Sequence, residues 1–165
     1  MDDRFHSFFM RLALREAEQA AETGDVPAGC VIIRRPETPV PLAAVPVIGR
    51  AHNQTEALKD PTAHAEILAI TQAAAEFGDW RLTDTVLYVT KEPCPMCAGA
   101  IVLARIPLVV WGLPDPKRGG QNVFSIFTHP GINHHPEVLE NVELEACEHI
   151  IKDFFRQRRN DNSCR

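Results

Sequence analysis

Apolar residues recur at helical spacing near the start of the chain, where Phe5, Phe8, Phe9, Leu12, Ala17, Ala20 and Ala21 form one stripe within residues 4–22. The stripe predicts an amphipathic helix ending near Gly24. The period then shortens. "GCVIIRR" and, after an interruption, "VIGRAHN" are short and partly β-branched, which predicts two strands of a hairpin. The interruption, "PETPVPLAAVP" at 36–46, places four prolines in eleven residues. Proline removes ladder donors and blocks helix, so this segment reads as an elongated surface loop.

Helical spacing returns in "DPTAHAEILAITQAAAEFG", residues 60–78, with Asp60 or Thr62 as candidate cap, Pro61 in the first turn and Gly78 as terminator. "TVLYVT" reads as a strand, "PMCAGAIVLAR" as a helix and "PLVVWG" as another strand. From about Val142 a last stripe of Cys147, Ile150, Ile151, Phe154 and Phe155 predicts a C-terminal helix. Strands alternating with helices imply an α/β sheet covered by helices and joined by right-handed crossovers. No internal repeat, low-complexity tract or linker interrupts the pattern. Residues 1–165 therefore read as a single domain, with about 1–3 and 160–165 as flexible tails.

A chain of 165 residues can bury a core without covalent staples, and its 45% apolar and 24% charged content is that of a soluble globular protein. No apolar run approaches the ~20 residues of a membrane span. The opening "MDDRFHSFFMRLALREAEQ" carries acids at once, unlike a signal or transit peptide, so a cytoplasmic protein is expected. Cysteines at 30, 94, 97, 147 and 164, an odd number, favour thiols or metal ligands over a disulfide framework. The net charge of −5 discourages nucleic-acid binding, but it is uneven. Between Lys152 and Arg165 five basic residues stand against two acids. That run is either a solvated helix end or an electrostatic footprint.

Two short motifs carry the chemistry. "HAE" at 64–66 and "PCPMC" at 93–97 both fall where chain enters a helix, and helix N-termini at the carboxyl ends of strands point free N–H groups at ligands. Cys94 and Cys97 share one helical face, and His64 comes from another helix. Three N/S ligands plus a water make a catalytic zinc pattern, whereas a fourth protein ligand closes a structural site. Cys30 or Cys147 could supply that fourth ligand, although both read as buried apolar residues. The C-x-x-C could alternatively be a redox pair, or a turn without chemistry. Glu66, two residues beyond His64, is placed to reach a metal-bound water without binding the metal, which suits a general acid/base.

The combination H-x-E and P-C-x-x-C resembles the signature of the zinc nucleobase deaminases. "DPTAHAE" with "EPCPMCAGA" is similar to two branches, the bacterial tRNA-specific adenosine deaminases and the guanine deaminases. The flanks "GDVPAGCVI", "RLTDTVLYVTKEPC", "VVWGLPDPKRGG", "HPGINHH" and "DFFRQRR" resemble the tRNA enzymes in order and spacing over about residues 5–159. The resemblance implies the three-layer cytidine deaminase-like α/β fold, a central mixed sheet of about five strands covered by helices. It further implies a zinc ion in each subunit on His64, Cys94 and Cys97, a homodimer, and conversion of the wobble adenosine of a tRNA anticodon to inosine. In that reading Glu66 accepts the water's proton, protonates ring N1 as C6 becomes tetrahedral, and helps ammonia leave.

The same resemblance makes Asn53, the backbone at Ala65, Val26, Pro27 and Pro93 expected base-pocket residues. Asp115, Lys117, His129, Asn133, Phe155 and Arg158 are the expected contacts to the anticodon stem-loop. Each also has a plain structural explanation, such as turn formation for Asp115 and core packing for Phe155. The proline-rich segment after Arg35 departs from the family's short hairpin turn. Two further readings stay open on the residues alone: a guanine or other free-base deaminase, and a silent RNA-binding module with a structural zinc.

Overall fold

The computed structural model describes residues 1–163. Five strands, β1 (Gly29–Arg34), β2 (Val47–His52), β3 (Thr85–Lys91), β4 (Leu108–Leu113) and β5 (Glu137–Leu139), form one mixed sheet. Their order is β2-β1-β3-β4-β5, with β1 antiparallel to both neighbours and β3, β4 and β5 mutually parallel. Among the described residues five α-helices accompany it: α1 (Asp3–Glu22), α2 (Thr55–Leu58), α3 (Ala65–Phe77), α4 (Pro95–Leu103) and α5 (Leu144–Ser163).

The sheet is buried on both faces, which is why β1 and β3 read as unbroken apolar runs rather than alternating ones. Alternate side chains still go to different layers. Cys30, Ile32, Leu87, Val89, Val109 and Trp111 pack with the inner faces of α3 and α4. Val31, Ile33, Val86, Tyr88 and Val110 pack instead with Phe9, Met10 and Ala13 of α1 and with Cys147 of α5. Three layers result. Asp2 caps α1 by accepting from the Phe5 amide at 2.8 Å. The helix lies so close to β1 that a Cβ on Gly29 would sit 2.0 Å from the Ala13 carbonyl oxygen and 2.5 Å from the Ala17 nitrogen.

Several local details differ from the sequence pattern. α3 starts at Ala65 with His64 at its N-cap, so neither Asp60 nor Thr62 caps it. The Asp60 carboxylate instead accepts from the Thr62 amide and hydroxyl, closing a turn ahead of the helix. Asn141 and Glu143 adopt positive φ, which breaks helical geometry and delays α5 to Leu144. The proline-rich segment is exposed as expected, except that it makes one short 3₁₀ turn at Leu42–Ala44 and tucks Val45 into the core. β5 and α2, of three and four residues, are too short to show a period. α5 continues through Ser163, while Cys164 and Arg165, part of the expected tail, lie outside the described residues.

Gly29→Ala should lower the stability of the protein by about 3 kcal/mol, because the clash is with helix backbone that no side-chain rotation relieves. A denaturant titration beside the parent chain measures it; an unchanged midpoint would show that α1 can move away from the sheet without loss.

Candidate active site

β3 ends at Lys91, and the chain reaches α4 through Glu92, Pro93 and Cys94. Cys94 is the N-cap of α4 in extended geometry, and Pro95 in the first turn is preset for the helix. His64 occupies the same place on α3. Two helix N-termini therefore converge at the carboxyl edge of β3. His64 Nδ1 lies 3.6 Å from Cys94 Sγ and 3.5 Å from Cys97 Sγ.

These three donors could hold a metal ion, all lying within 4.8 Å of one another. The N–S separations match the ~3.6 Å edge of a tetrahedron with zinc-like bond lengths of about 2.3 and 2.0 Å. The hydrogen bond between the two thiols splits their ionisation. Cys94 is pushed down to about 4 by hydrogen bonding with Cys97, an effect that overcomes burial and is reinforced by His64. Cys97 is pushed up by the same contact and by burial, so the pair presents one thiolate readily. Hydrogen bonding to Cys94 raises His64, against its burial. Among the described residues no fourth ligand joins the group. Cys30 is buried in the sheet core, its thiol held well above the usual range by burial. Burial likewise raises Cys147 to about 12, and this thiol packs over Gly112. Among the described residues all four cysteines are free.

Glu66, in the first turn of α3, is only 5% exposed. Its carboxyl is raised above the usual range mainly by burial, with its own backbone amide and the neighbouring His64 opposing the rise. Such a group takes up and releases protons near the thiols without being one of the three donors. Asn53 Oδ1 accepts from the Ala65 amide at 3.1 Å. This bond occupies one of α3's free N–H groups and leaves the Asn53 NH₂ as a donor for the cleft.

A cleft of about 450 Å³ opens over these groups. Val26, Ala28, Asn53, Thr55, His64, Glu66 and Cys94 are among its lining. Lys91 and Glu92 line it from the end of β3, Asp115, Lys117 and Arg118 from the loop after β4, and Ile151 and Phe155 from α5. A larger cavity of about 690 Å³ lies elsewhere, between the start of α1 and the proline-rich loop. It contains none of the three donors, whereas His64 and Cys94 line the smaller cleft.

Of the expected residues, Val26, Asn53, His64, Glu66, Cys94, Asp115, Lys117 and Phe155 meet in the cleft. Cys97 and Ala65 are fully buried beside it. Pro27, Pro93, His129, Asn133 and Arg158 do not line it. His129 Nδ1 accepts from the Gly131 amide, Asn133 Oδ1 accepts from Arg105, and Arg158 donates to the Gly24 carbonyl while covering the Phe154 ring. Phe155 points outward, 42% exposed, whereas its neighbour Phe154 is buried.

Two buried carboxylates were not legible as site residues. Asp25 accepts from the Thr55 hydroxyl and from the Glu56 and Ala57 amides, fixing α2 between Asn53 and His64. Burial would raise its pKa, but these hydrogen bonds bring it below the usual value. Glu92 accepts from the amides of Asp115, Gln121 and Asn122 and from Asn122 Nδ2, holding the loop after β4. A Cβ on Gly119 would meet that carboxyl at 2.3 Å, so the loop needs glycine there. The only sequence hint was a charged pair, Lys91 and Glu92, closing an apolar strand beside a cysteine motif.

Residues 4–159 match the family model of the MafB19-like deaminases. A tRNA-specific adenosine deaminase of Streptococcus pyogenes is 42% identical over 154 residues, spanning 93% of this chain and 91% of the relative. A solved structure from a study of A-to-I editing by tRNA:A34 deaminases at the wobble position superimposes with a TM-score of 0.78 at 40% identity, covering 87% of this chain and 98% of the other. A guanine deaminase of Bacillus subtilis is more distant, with a TM-score of 0.59 at 28% identity over 83% of each chain.

Asp25→Ala should cost about 2 kcal/mol of stability near neutral pH, the usual scale for hydrogen bonds to a buried charge. The native carboxyl is depressed below its ordinary 3.8, so its contribution is complete above that value and fades as pH falls through the lower folded pKa. Urea titrations of parent and variant should therefore converge in strongly acid solution; a gap independent of pH would rule out the ionised carboxylate as its source.

Proposed function

The chain belongs to the MafB19-like deaminases and to the tRNA-specific adenosine deaminases, and on that premise we propose that it hydrolytically deaminates adenosine 34, the wobble position of a tRNA anticodon, to inosine in the cytoplasm. One observation carries the chemistry: a buried carboxyl, Glu66, stands two residues from His64, whose Nδ1 contacts both thiols of Cys94 and Cys97. Zinc is the metal that this two-sulfur, one-nitrogen set suits, and bound there it would supply the Lewis acidity that makes water nucleophilic near neutral pH.

The chain's own groups do the rest. Glu66 takes the proton of the attacking water, delivers it to ring N1 as C6 becomes tetrahedral, and then passes a proton to the departing ammonia. Its burial favours the protonated form, so the carboxylate takes up the water's proton readily. The NH₂ of Asn53, oriented by the Ala65 amide, donates to the edge of the base. Val26 and Ala28 shape the pocket around it.

A single-stranded loop supplies the base at least cost, because no duplex need open. Phe155 offers an exposed ring at the mouth for stacking, and Lys117 and Arg118 offer exposed cations for phosphates. His129, Asn133 and Arg158 remain part of the proposed RNA surface through the segments they hold. The protein acts as a homodimer: α4 turns Met96, Gly99, Ala100 and Leu103 outward, an apolar face that a second copy would cover. No described helix is long and apolar enough to cross a membrane.

Glu66→Ala should retain the metal, by elemental analysis, and lose at least about a hundredfold in turnover of an anticodon stem-loop containing the wobble adenosine. Full activity in this variant would remove Glu66 from the mechanism. Parent enzyme that leaves the stem-loop unchanged while converting free guanine would move the chain to the guanine deaminases.

A further inference from the structure

Lys91 closes β3 three residues before Cys94, and its side chain enters the cleft 31% exposed. Its ammonium pairs with the Asp115 carboxylate, the one hydrogen-bond partner it has among the described residues. Asp115 is itself anchored, accepting also from the Lys117 and Arg118 amides. An ammonium has three donors, so the pair orients Lys91 and leaves two N–H groups for whatever fills the cleft.

Holding the loop does not require this lysine. The adjacent Glu92 already takes four hydrogen bonds from that loop, at 2.8 to 3.1 Å and shielded from solvent. Nor does it resemble the other cations of the cleft. Lys117 and Arg118 are exposed, while Lys91 is half-buried in the cleft that His64 and Cys94 also line. Without it, the cleft would keep two exposed cations, Lys117 and Arg118, against the carboxylates of Glu92 and Asp115. A half-buried cation therefore adds to the attraction of a polyanion to a protein of net charge −5.

Building on the tRNA adenosine reading, we propose that Lys91 is a substrate-binding residue whose ammonium, aimed by Asp115, contacts a backbone phosphate flanking the adenosine in the cleft. Lys117 and Arg118 then serve phosphates farther out, and Asp115 is a positioning residue for the lysine. The contact acts on binding, since it lies on the backbone of the RNA and not on the reacting ring.

The test compares parent enzyme, Lys91→Met and Lys91→Arg, each zinc-loaded, on the anticodon stem-loop between about 50 and 200 mM salt. Lys91→Met should raise KM about tenfold, leave kcat within about twofold, and reduce the log–log salt slope of binding by about 0.7, the single-strand value for one phosphate. Lys91→Arg should restore most of the affinity. Neutral methylphosphonates at the two flanking positions should weaken the parent by a similar factor and Lys91→Met no further, because they remove the same contact. Unfolding midpoints should be equal, as Glu92 still holds the loop. A fall in kcat with an unchanged salt slope, or losses that multiply between the variant and the methylphosphonate, overturns the assignment. A parent enzyme inert on every stem-loop defeats the underlying reading and Lys91's role with it.

Discussion

The architecture depends on one convergence: His64, entering α3, must stand within 3.6 Å of two thiols that enter α4 about thirty residues later. Neither His64 nor Cys94 caps its helix with its own side chain, so both side chains are left to face each other. The sheet makes this possible. β3 delivers Cys94 at its carboxyl edge, and Asn53, just past β2, ties the first amide of α3 to that same edge. β1, pairing with both β2 and β3, sets the spacing between the two deliveries. Even the absence of a side chain at Gly29 serves it, by letting α1 sit against that central strand.

Three buried carboxyls around the site show how hydrogen bonding sorts structural from chemical roles. Asp25 and Glu92 are surrounded by N–H and O–H donors and hold backbone in place. Donors to Asp25 outweigh burial, so it stays ionised in the fold. Glu66 has no such ring of donors, and burial leaves it raised and responsive. A buried acid that is not fully engaged is the group able to carry a proton. The same contrast separates neighbours in sequence: Glu92 turns into the loop's backbone, while Lys91 turns into the cleft.

Much of this was legible in the chain because it is local. The stripe from Phe5 to Ala21 is α1, the apolar runs are buried strands, Gly78 at positive φ ends α3, and the H-x-E and P-C-x-x-C spacings put their side chains at helix entries. The misplaced cap at Asp60 shows the limit. Its carboxylate found donors two residues away before the helix began, and local chemistry cannot tell a turn from a cap. β5 was invisible for a different reason, since three residues carry no period and its pairing with β4 comes from assembly of the sheet.

By itself the sequence determined which elements form, which residue types could grip a metal, and that Glu66 lies beside them, since all of these follow from spacings within a few residues. Only the tertiary structure decided that the three donors meet without a fourth among the described residues, that Phe155 rather than Phe154 faces outward, and that Lys91 lies inside the cleft. It also decided that the side chains of Arg158 and Asn133 are engaged within the protein. These outcomes rest on partners separated by 24 to 134 residues. Side-chain propensity acts over a helical turn, whereas the direction of a charge depends on what packing brings beside it.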